Sequence, residues 1–529
     1  MEISYSDKKV LIVDNRLEDL GELKTILGRM GVAGIQVASS VNMALVLLRE
    51  QHYDLCFVVF DLGKEQKNGL QLVQEATAEG IRKFSTLFIL IVDPDRSKLL
   101  FGSLDSSPDT YISKPYAEAK VRYRVEKIMR VKSVLQPLER LLDAGELQSA
   151  LDMCSKLSQV YPGLQLFIQR LRGIILLELG LYSEAEHLFE SIVTQRDQPW
   201  ARIGLGVSLC HLGHYRSARR ALQYVIDESH FCVEAYTWLA RTYRAVGERG
   251  EAIALLRKAI MLQPSVPELF GVLGSLSAQN KEWNIAAEAY TNSIRYARHS
   301  CYQSEENYFS LVMALLQQKT IDPETEERII RVLEDVMLEF PDDPIVRFKS
   351  RLMAAQTYHR SGSVERAGLA ARNAFDLFCQ LELSDKAAWL DPFVEGMEGS
   401  VLEQDAQALK QQLSRDSATL DWGRLNVQGM LSYRKKDYRK ALGYFVRADG
   451  LLPNNPSIML NLIQAALEQA KKPGPERHEL LLQCDNALYS INYGALSARQ
   501  QKRYLALAEN CAEMVKEMAQ VKRVSEEDI

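Results

Sequence analysis

Small residues recur at a fixed interval through the middle of this 529-residue chain, and this repetition limits its fold more than any other feature. Successive small residues lie 33, 34 and 34 positions apart, and each is followed twelve residues later by an alanine. The small residues are Gly173, Gly206, Ala240 and Gly274, and the alanines are Ala185, Ala218, Ala252 and Ala286. Because small residues let paired helices approach closely, the period predicts stacked helical hairpins.

The positions between the small residues complete the pattern. A glycine and an aromatic residue mark a turn at Gly180 and Tyr182 and again at Gly213 and Tyr215. The pattern resembles the tetratricopeptide repeat family between residues 133 and 480, most clearly at 166–298 and 422–455. The resemblance implies an all-α superhelix with a concave protein-binding surface. Residues 481–529 are expected to form C-terminal capping helices and a frayed tail.

The resemblance also predicts a partner-binding groove. In this family, fixed positions in the first helix of each repeat line the concave surface. The residues at those positions are Phe167, Arg170, Trp200, Ile203, Glu234, Arg241 and Arg244. An apolar floor with guanidinium groups would suit an extended or helical peptide that carries acidic residues. The alternative is that Trp200 packs at a helix start and that the arginines are solvated.

Residues 8–130 show a different pattern, in which short apolar runs alternate with helical segments. Continuous apolar runs suit the strands of a parallel sheet that is covered on both faces. Strands are expected near 9–14, 35–38, 54–61, 86–92 and 109–113, and helices near 16–30, 41–51, 69–79, 96–104 and 117–131. The predicted fold class is therefore an α/β doubly wound five-stranded parallel sheet over residues 1–132, followed by the all-α repeats.

Three charged residues follow the apolar runs, at the sheet edge where such folds bind ligands. Asp14 follows the first run, Asp61 the third and Lys114 the last. Carboxylates can hold Mg²⁺, one of them can attack a phosphorus atom, and an ammonium can neutralise phosphate oxygens. The alternative for a single aspartate is a role in capping or turning the chain. The four residues in register, with Gly69 as the fourth, favour a phosphoryl site.

The order and spacing of these residues resemble the receiver domain of bacterial response regulators, over the whole of residues 8–130. The resemblance implies a flavodoxin-like fold in which Asp61 accepts a phosphoryl group from a histidine kinase or a phosphotransfer protein. It further implies that Asp14 and the backbone carbonyl of Gly63 help Asp61 to hold Mg²⁺ and that Lys114 contacts the phosphoryl oxygens. A cis peptide is expected before Pro115.

Two positions depart from the family pattern. Asn15 stands where the family has a second acid, so the affinity for Mg²⁺ is expected to fall, because this ion prefers charged oxygen ligands. Val92 stands 22 residues before Lys114, where the family has a hydroxyl that moves together with the aromatic residue at Tyr111. The relay between the phosphoryl group and the surface is therefore expected to differ.

Composition narrows the range of partners. The net charge of -5 and a pI of about 6.0 supply no basic field for nucleic acid. Eight cysteines without a C-x-x-C pair are typical of reduced core thiols. No secretion signal and no run of about 18 apolar residues is present, so we expect no membrane insertion and a cytoplasmic location.

These observations favour a two-component response regulator. Phosphoryl acceptance at Asp61 would modulate protein binding by the repeats and so inhibit or sequester a signalling partner. Apart from self-phosphorylation and dephosphorylation, no enzyme activity is expected. The alternative is a degenerate, non-phosphorylated receiver that serves as a docking module in a constitutive scaffold. The expected partners are a histidine kinase or phosphotransfer protein and a protein or peptide in the groove, and a homodimer is also open.

Overall fold

A computed structural model describes most of the protein. The described residues are 5–63, 67–93, 104, 108–228, 232–298, 300–317, 321–472, 474 and 476–527, with backbone alone beyond residue 518. The chain forms two compact units. The first comprises Met1–Thr242, Lys258–Val266 and Arg298–Tyr302, and the second comprises Tyr243–Arg257, Pro267–Ala297 and Gln303–Ile529.

The first unit opens with a five-stranded sheet in which all neighbouring strands are parallel. The strands are β1 (Lys9–Val13), β2 (Gly34–Ala38), β3 (Leu55–Val59), β4 (Leu87–Val92) and β5 (Thr110–Ser113). Their order across the sheet is β2-β1-β3-β4-β5. Every residue of β3 and β4 is buried, as expected for strands that helices cover on both faces. The predicted fold class is confirmed.

Four helices accompany the sheet among the described residues. They are α1 (Leu17–Arg29), α2 (Val41–Glu50), α3 (Gly69–Ala78) and α4 (Glu118–Asp143). The helix predicted near 96–104 lies outside the described residues except for Leu104. Helix α4 is longer than the predicted 117–131 and continues through residue 132, where the sequence places a domain boundary. Its early residues Val121 and Val125 pack in the core of the sheet, whereas Leu135 and Leu138 are buried farther along.

Helical hairpins follow α4. In chain order, the helices that begin before residue 243 are α5 (Leu147–Val160), α6 (Gln165–Glu178), α7 (Tyr182–Gln195), α8 (Pro199–His211), α9 (Tyr215–Glu228) and α10 (Val233–Ala245). The next are α11 (Arg249–Leu262), α12 (Pro267–Gln279), α13 (Trp283–Ala297), α14 (Glu305–Leu316), α15 (Pro323–Glu339), α16 (Pro344–Ser361) and α17 (Val364–Gln380). The last are α18 (Leu383–Gly396), α19 (Glu403–Ser417), α20 (Asp421–Arg434), α21 (Tyr438–Leu451), α22 (Pro456–Ala470), α23 (Arg477–Ser490) and α24 (Ala498–Glu527).

The repeated small residues lie where neighbouring helices touch. The ring of Phe189 in α7 fits between Gly173 of α6 and Gly204 of α8, and a Cβ on either glycine would lie 2.4 Å from that ring. The same arrangement joins α20 to α21, where a Cβ on Gly429 would lie 2.5 Å from the ring of Phe445. The glycines of the 34-residue period therefore lie where a bulky side chain of the neighbouring helix leaves no room for a Cβ, namely Phe189 at Gly173, Leu222 at Gly206 and Tyr290 at Gly274.

Two further observations bear on the sequence predictions. All eight cysteines are free, and six are buried, whereas Cys301 and Cys379 are exposed. Burial raises the pKa of the thiols of Cys154 and Cys232 to about 12, so both are protonated at neutral pH. None of the described helices is long and apolar enough to span a membrane.

Candidate functional site

Asp14 lies at the carboxyl end of β1 and is only 2% exposed. Its backbone N–H donates to the carbonyl of Ala38 at 3.1 Å, and its Oδ1 accepts from the backbone N–H of Arg16 at 2.9 Å. Its Oδ2 is buried and accepts no hydrogen bond from the described residues. A buried carboxylate oxygen without a donor is costly, and a bound cation would satisfy it. The Nζ of Lys114 lies 3.8 Å from this Oδ2.

Asp61 lies two residues beyond β3, on a tight turn at the same edge of the sheet. Its Oδ1 accepts a hydrogen bond from the backbone N–H of Gly63 at 3.0 Å, and the residue is partly exposed. Gly63 has a φ of 112°, a backbone conformation that favours glycine. A Cβ on Gly69 would lie 2.4 Å from the carbonyl of Val59, so glycine is needed where α3 starts against β3. The spacing from Asp61 to Gly69 thus has a steric cause.

Lys114 follows β5 and precedes Pro115 in a cis peptide, as the resemblance predicted. Its backbone N–H donates to the carbonyl of Val92 at 3.1 Å. Its ammonium forms an ion pair with the Oδ2 of Asp19 in the first turn of α1. Sequence reasoning missed Asp19, although an acid one turn after the start of a helix that follows Asp14 was a visible signal. The pair holds the Lys114 ammonium beside the unsatisfied oxygen of Asp14.

The two departures from the family pattern have structural counterparts. The Nδ2 of Asn15 donates to the carbonyl of Leu62 at 2.6 Å, so this amide ties the loop after β3 to the end of β1. Val92 is 1% exposed and lies opposite Ser113 in the β4–β5 ladder. Its side chain therefore packs in the core and offers no hydroxyl.

Tyr111 in β5 is held by Arg124 of α4. The guanidinium donates to the Tyr111 carbonyl at 2.9 Å and lies 4.8 Å from the centre of its ring. A cation–π contact of this kind contributes about 0.5–1 kcal/mol at an exposed site. The aromatic residue predicted to move on activation is thus coupled to the long helix that leads into the repeats.

Tyr116 adds a second unsatisfied group to this edge of the sheet. Its hydroxyl is buried and has no hydrogen-bond partner among the described residues. Burial raises its pKa, and the neighbouring carboxylates of Asp14 and Asp19 raise it further. The phenol is therefore neutral at physiological pH. Its ring lies 5.9 Å from the Lys114 ammonium.

The donor set fits Mg²⁺ better than a metal held by protein ligands alone. No group of three or more His, Cys, Asp or Glu side chains in the described part of the chain is arranged to hold a metal ion. Mg²⁺ commonly takes one or two carboxylates and completes its shell with water and phosphate oxygens. Asp14 offers an orphaned buried oxygen, and Asp61 and Gly63 lie on a turn at the same edge.

The predicted groove residues divide into separate groups. Ile203 is fully buried, and Trp200 is 9% exposed and meets Phe189 edge to face at 6.3 Å, so both pack inside the repeats. Phe167 is half exposed. The prediction of an open apolar floor therefore needs correction at Trp200 and Ile203, because helix packing covers them.

The charged groove residues also have partners within the protein. The Arg241 guanidinium lies 4.9 Å from the ring centre of Trp238. In the second unit, Arg244 pairs with Asp485 at 3.0 Å and lies 4.7 Å from the ring of Tyr489. Arg170 and Glu234 are brought together differently, since both bind the main chain of Leu104.

Comparisons with known proteins support the repeats. A family model described as tetratricopeptide repeat matches residues 233–266. The human protein O-mannosyl-transferase TMTC1 is 27% identical over 128 residues, which cover 23% of this chain and 14% of that protein. The match thus spans about one seventh of the curated relative. The tetratricopeptide repeats predicted from the sequence are confirmed.

Solved structures resemble parts of the chain. MamA from Desulfovibrio magneticus RS-1, from residue 41 to its end, is 23% identical with a TM-score of 0.29, covering 32% of this chain and 94% of that one. The C-terminal part of a TPR repeat-containing protein from Cytophaga hutchinsonii is 16% identical with a TM-score of 0.38, covering 50% and 99%. YrrB, described as a TPR protein with an unusual peptide-binding site, is 15% identical with a TM-score of 0.30, covering 36% and 91%.

Proposed function

We propose that this chain is a two-component response regulator whose sheet domain accepts a phosphoryl group on Asp61 and thereby changes protein binding by its tetratricopeptide repeats. The observation that carries the proposal is the buried, unsatisfied Oδ2 of Asp14 beside the Lys114 ammonium. These groups lie at the carboxyl edge of a parallel sheet, where ligands of such folds bind. The edge thus combines a cation ligand, a counter-charge for phosphate and the acceptor Asp61.

Each residue has a chemical task in this proposal. A carboxylate oxygen of Asp61 attacks the phosphorus of a phosphohistidine on the donor kinase or phosphotransfer protein, so that a P–O bond forms as the P–N bond breaks and the imidazole leaves. Lys114 contacts the phosphoryl oxygens, and Asp19 positions its ammonium. Asp14, Asp61 and the carbonyl of Gly63 would hold Mg²⁺, which neutralises charge on the transferring group. Hydrolysis of the acyl phosphate by water resets Asp61.

Asn15 is expected to weaken the cation site. Its amide nitrogen is committed to the Leu62 carbonyl, and the neutral side chain supplies no negative charge. Asn15→Asp should therefore tighten Mg²⁺ binding, by about tenfold for each 1.4 kcal/mol of added attraction. Isothermal titration of both proteins with MgCl₂ measures the change. A weaker or unchanged affinity in the variant would contradict the assigned ligand set.

The decisive experiment tests Asp61 against a neighbouring acid. Purified full-length protein is incubated with Mg²⁺ and acetyl phosphate, and the phosphorylated fraction is measured by intact mass. Asp61→Asn should abolish labelling, whereas the matched control Asp93→Asn, at the end of β4 on the same edge, should retain it. Saturable protection of residues 61–63 from hydrogen exchange by Mg²⁺ and beryllofluoride supplies a second readout that needs no phosphoryl donor.

The second candidate is a non-phosphorylated receiver that docks a partner constitutively, with no catalysis of its own. Two observations favour it, namely the Asn15 amide tied to Leu62 and the core position of Val92. Absence of both labelling and beryllofluoride protection in the natural protein would reject phosphoryl transfer and leave this function. For either function we propose a cytoplasmic location, and we propose sequestration of a signalling protein as the output.

A further inference from the structure

Leu104 lies between β4 and β5, and the helical repeats bind both of its main-chain groups. Its N–H donates to the Oε2 of Glu234 in α10 at 2.8 Å, and its carbonyl accepts from the Nη2 of Arg170 in α6 at 3.0 Å. The residue is 1% exposed. A residue of the sheet domain is thus held as a bound peptide residue would be, by one acceptor and one donor from two different helices.

Hydrogen bonds to ionised side chains are stronger than those between neutral groups, so this pair forms a firm clamp on the main chain of one residue. Main-chain hydrogen bonds supply affinity in peptide recognition, and a side-chain pocket supplies selectivity. The Leu104 side chain borders a cavity of about 480 Å³, whose wall includes Phe167 and Leu171 of α6. An aliphatic side chain of similar size suits such a wall.

The clamp is built before any partner arrives. The guanidinium of Arg170 lies 5.7 Å from the ring centre of Trp200, which is itself packed against Phe189. A guanidinium stacked on an aromatic ring loses less side-chain entropy when it binds a carbonyl. Arg170 and Glu234, which were predicted to line the groove, therefore bind the main chain of a residue and not a carboxylate.

We propose that Arg170 and Glu234 form a main-chain clamp for a peptide segment with a leucine-like residue, and that the chain's own Leu104 occupies this clamp. A partner protein that presents such a segment would then compete with Leu104 for the same two side chains. The clamp and the competition stand without phosphoryl transfer. Release of Leu104 by modification of Asp61 is an extension that rests on the proposed function.

Competition is tested with a fluorescent peptide of residues 99–109, which carries the Leu104 sequence, added to full-length protein. Leu104→Ala removes the internal side chain but leaves the clamp, so it should bind the peptide at least tenfold more tightly than the natural protein. Adding Arg170→Met or Glu234→Gln to Leu104→Ala should abolish that gain. Adding Arg202→Met, which removes an arginine that pairs with Asp197, should leave it unchanged.

The peptide itself tests main-chain recognition. N-methylation at Leu104 removes the N–H that donates to Glu234, and replacement of Leu104 by aspartate removes the apolar side chain. Both changes should weaken binding at least tenfold. Peptide binding that persists in the Arg170→Met background, or that tolerates N-methylation, would overturn the clamp.

The natural protein keeps the test decisive if Leu104→Ala does not fold. At high peptide concentration it should show weak, saturable binding that N-methylation abolishes, and a lack of such binding would reject the clamp. A final arm adds Mg²⁺ and beryllofluoride to the natural protein and measures peptide affinity. No change there, together with tight binding by Leu104→Ala, would reject only the link to Asp61.

Discussion

Gly429 and Gly443 offer a matched test of the small-residue rule, because both lie in the α20–α21 hairpin and differ in what surrounds them. A Cβ at Gly429 would lie 2.5, 2.7 and 2.9 Å from three ring carbons of Phe445, which is 1% exposed. Gly443 is exposed in α21, and a Cβ there would meet no atom within 4 Å. The alanine substitution is therefore chemically identical at two sites with opposite steric consequences.

The expected free energies follow from two terms. Alanine is favoured over glycine in a helix interior by about 1 kcal/mol, which applies at both positions. At Gly429 the new methyl must move the ring by about 1 Å to reach ordinary contact distance, and overpacking of this kind costs about 1–3 kcal/mol. Gly443→Ala should thus stabilise the hairpin by about 1 kcal/mol, whereas Gly429→Ala should destabilise it by about 1 kcal/mol.

Hydrogen exchange of the α20 and α21 amides is the suitable assay, because a chain with two compact units has no single unfolding transition. Exchange should slow in Gly443→Ala and accelerate in Gly429→Ala. Adding Phe445→Leu should recover part of the protection lost in Gly429→Ala, since the smaller side chain makes room for the methyl group. Slower exchange in both single variants would refute the steric explanation of the repeat.

Two further predictions concern buried charge. Burial and the nearby Arg241 lower the pKa of His211 to about 4. Between about pH 4 and 6.5 the folded state therefore binds fewer protons than the unfolded state, so the free energy of unfolding is highest above pH 6.5 and decreases as the pH falls through this range. The full shift corresponds to about 3 kcal/mol, which solvent screening reduces at this partly exposed ring. His211→Phe should therefore lessen the loss of hydrogen-exchange protection of the α8 amides between pH 7.5 and 5, and an equal loss in both proteins would contradict this. In the second unit, the buried ammonium of Lys349 lies 2.7 Å from Glu306 between two aromatic rings. Glu306→Gln should lower the free energy of unfolding of the second unit by about 3 kcal/mol, because the ammonium then stays buried without this carboxylate, and Lys349→Met should lower it less. Equal losses in the two single variants of a double-mutant cycle would disprove this asymmetry.

The local features of this fold could be predicted well from the sequence. Continuous apolar runs predicted β1, β3 and β4, because strands buried on both faces cannot alternate polar and apolar residues. The spacing from Asp61 to Gly69 and the series that contains Gly173 could be recognised in the sequence, because a close steric contact admits only glycine or alanine. Such contacts form between neighbouring elements and recur with the period of the fold.

Contacts between residues far apart in the sequence could not be predicted. The pairing of Lys114 with Asp19 joins residues 95 positions apart and depends on how the start of α1 meets the segment that follows β5. Asn15 was visible as a missing acid, but its bond to Leu62 was not. The ligand of Arg170 and Glu234 was also missed, since positions in a repeat indicate which side chains face a surface and not which main-chain group meets them.

The continuity of α4 has a consequence for how this protein can change in length. Its 26 residues extend for about 39 Å, and Val125 packs at the sheet while Leu138 is buried farther along. One residue inserted between these points would rotate all that follows by about 100°, whereas seven would restore the phase to within about 20°. Viable insertions and deletions in this segment should therefore come in sevens, or in threes and fours, because only these lengths keep the buried leucines and valines of the helix close to the face on which they pack.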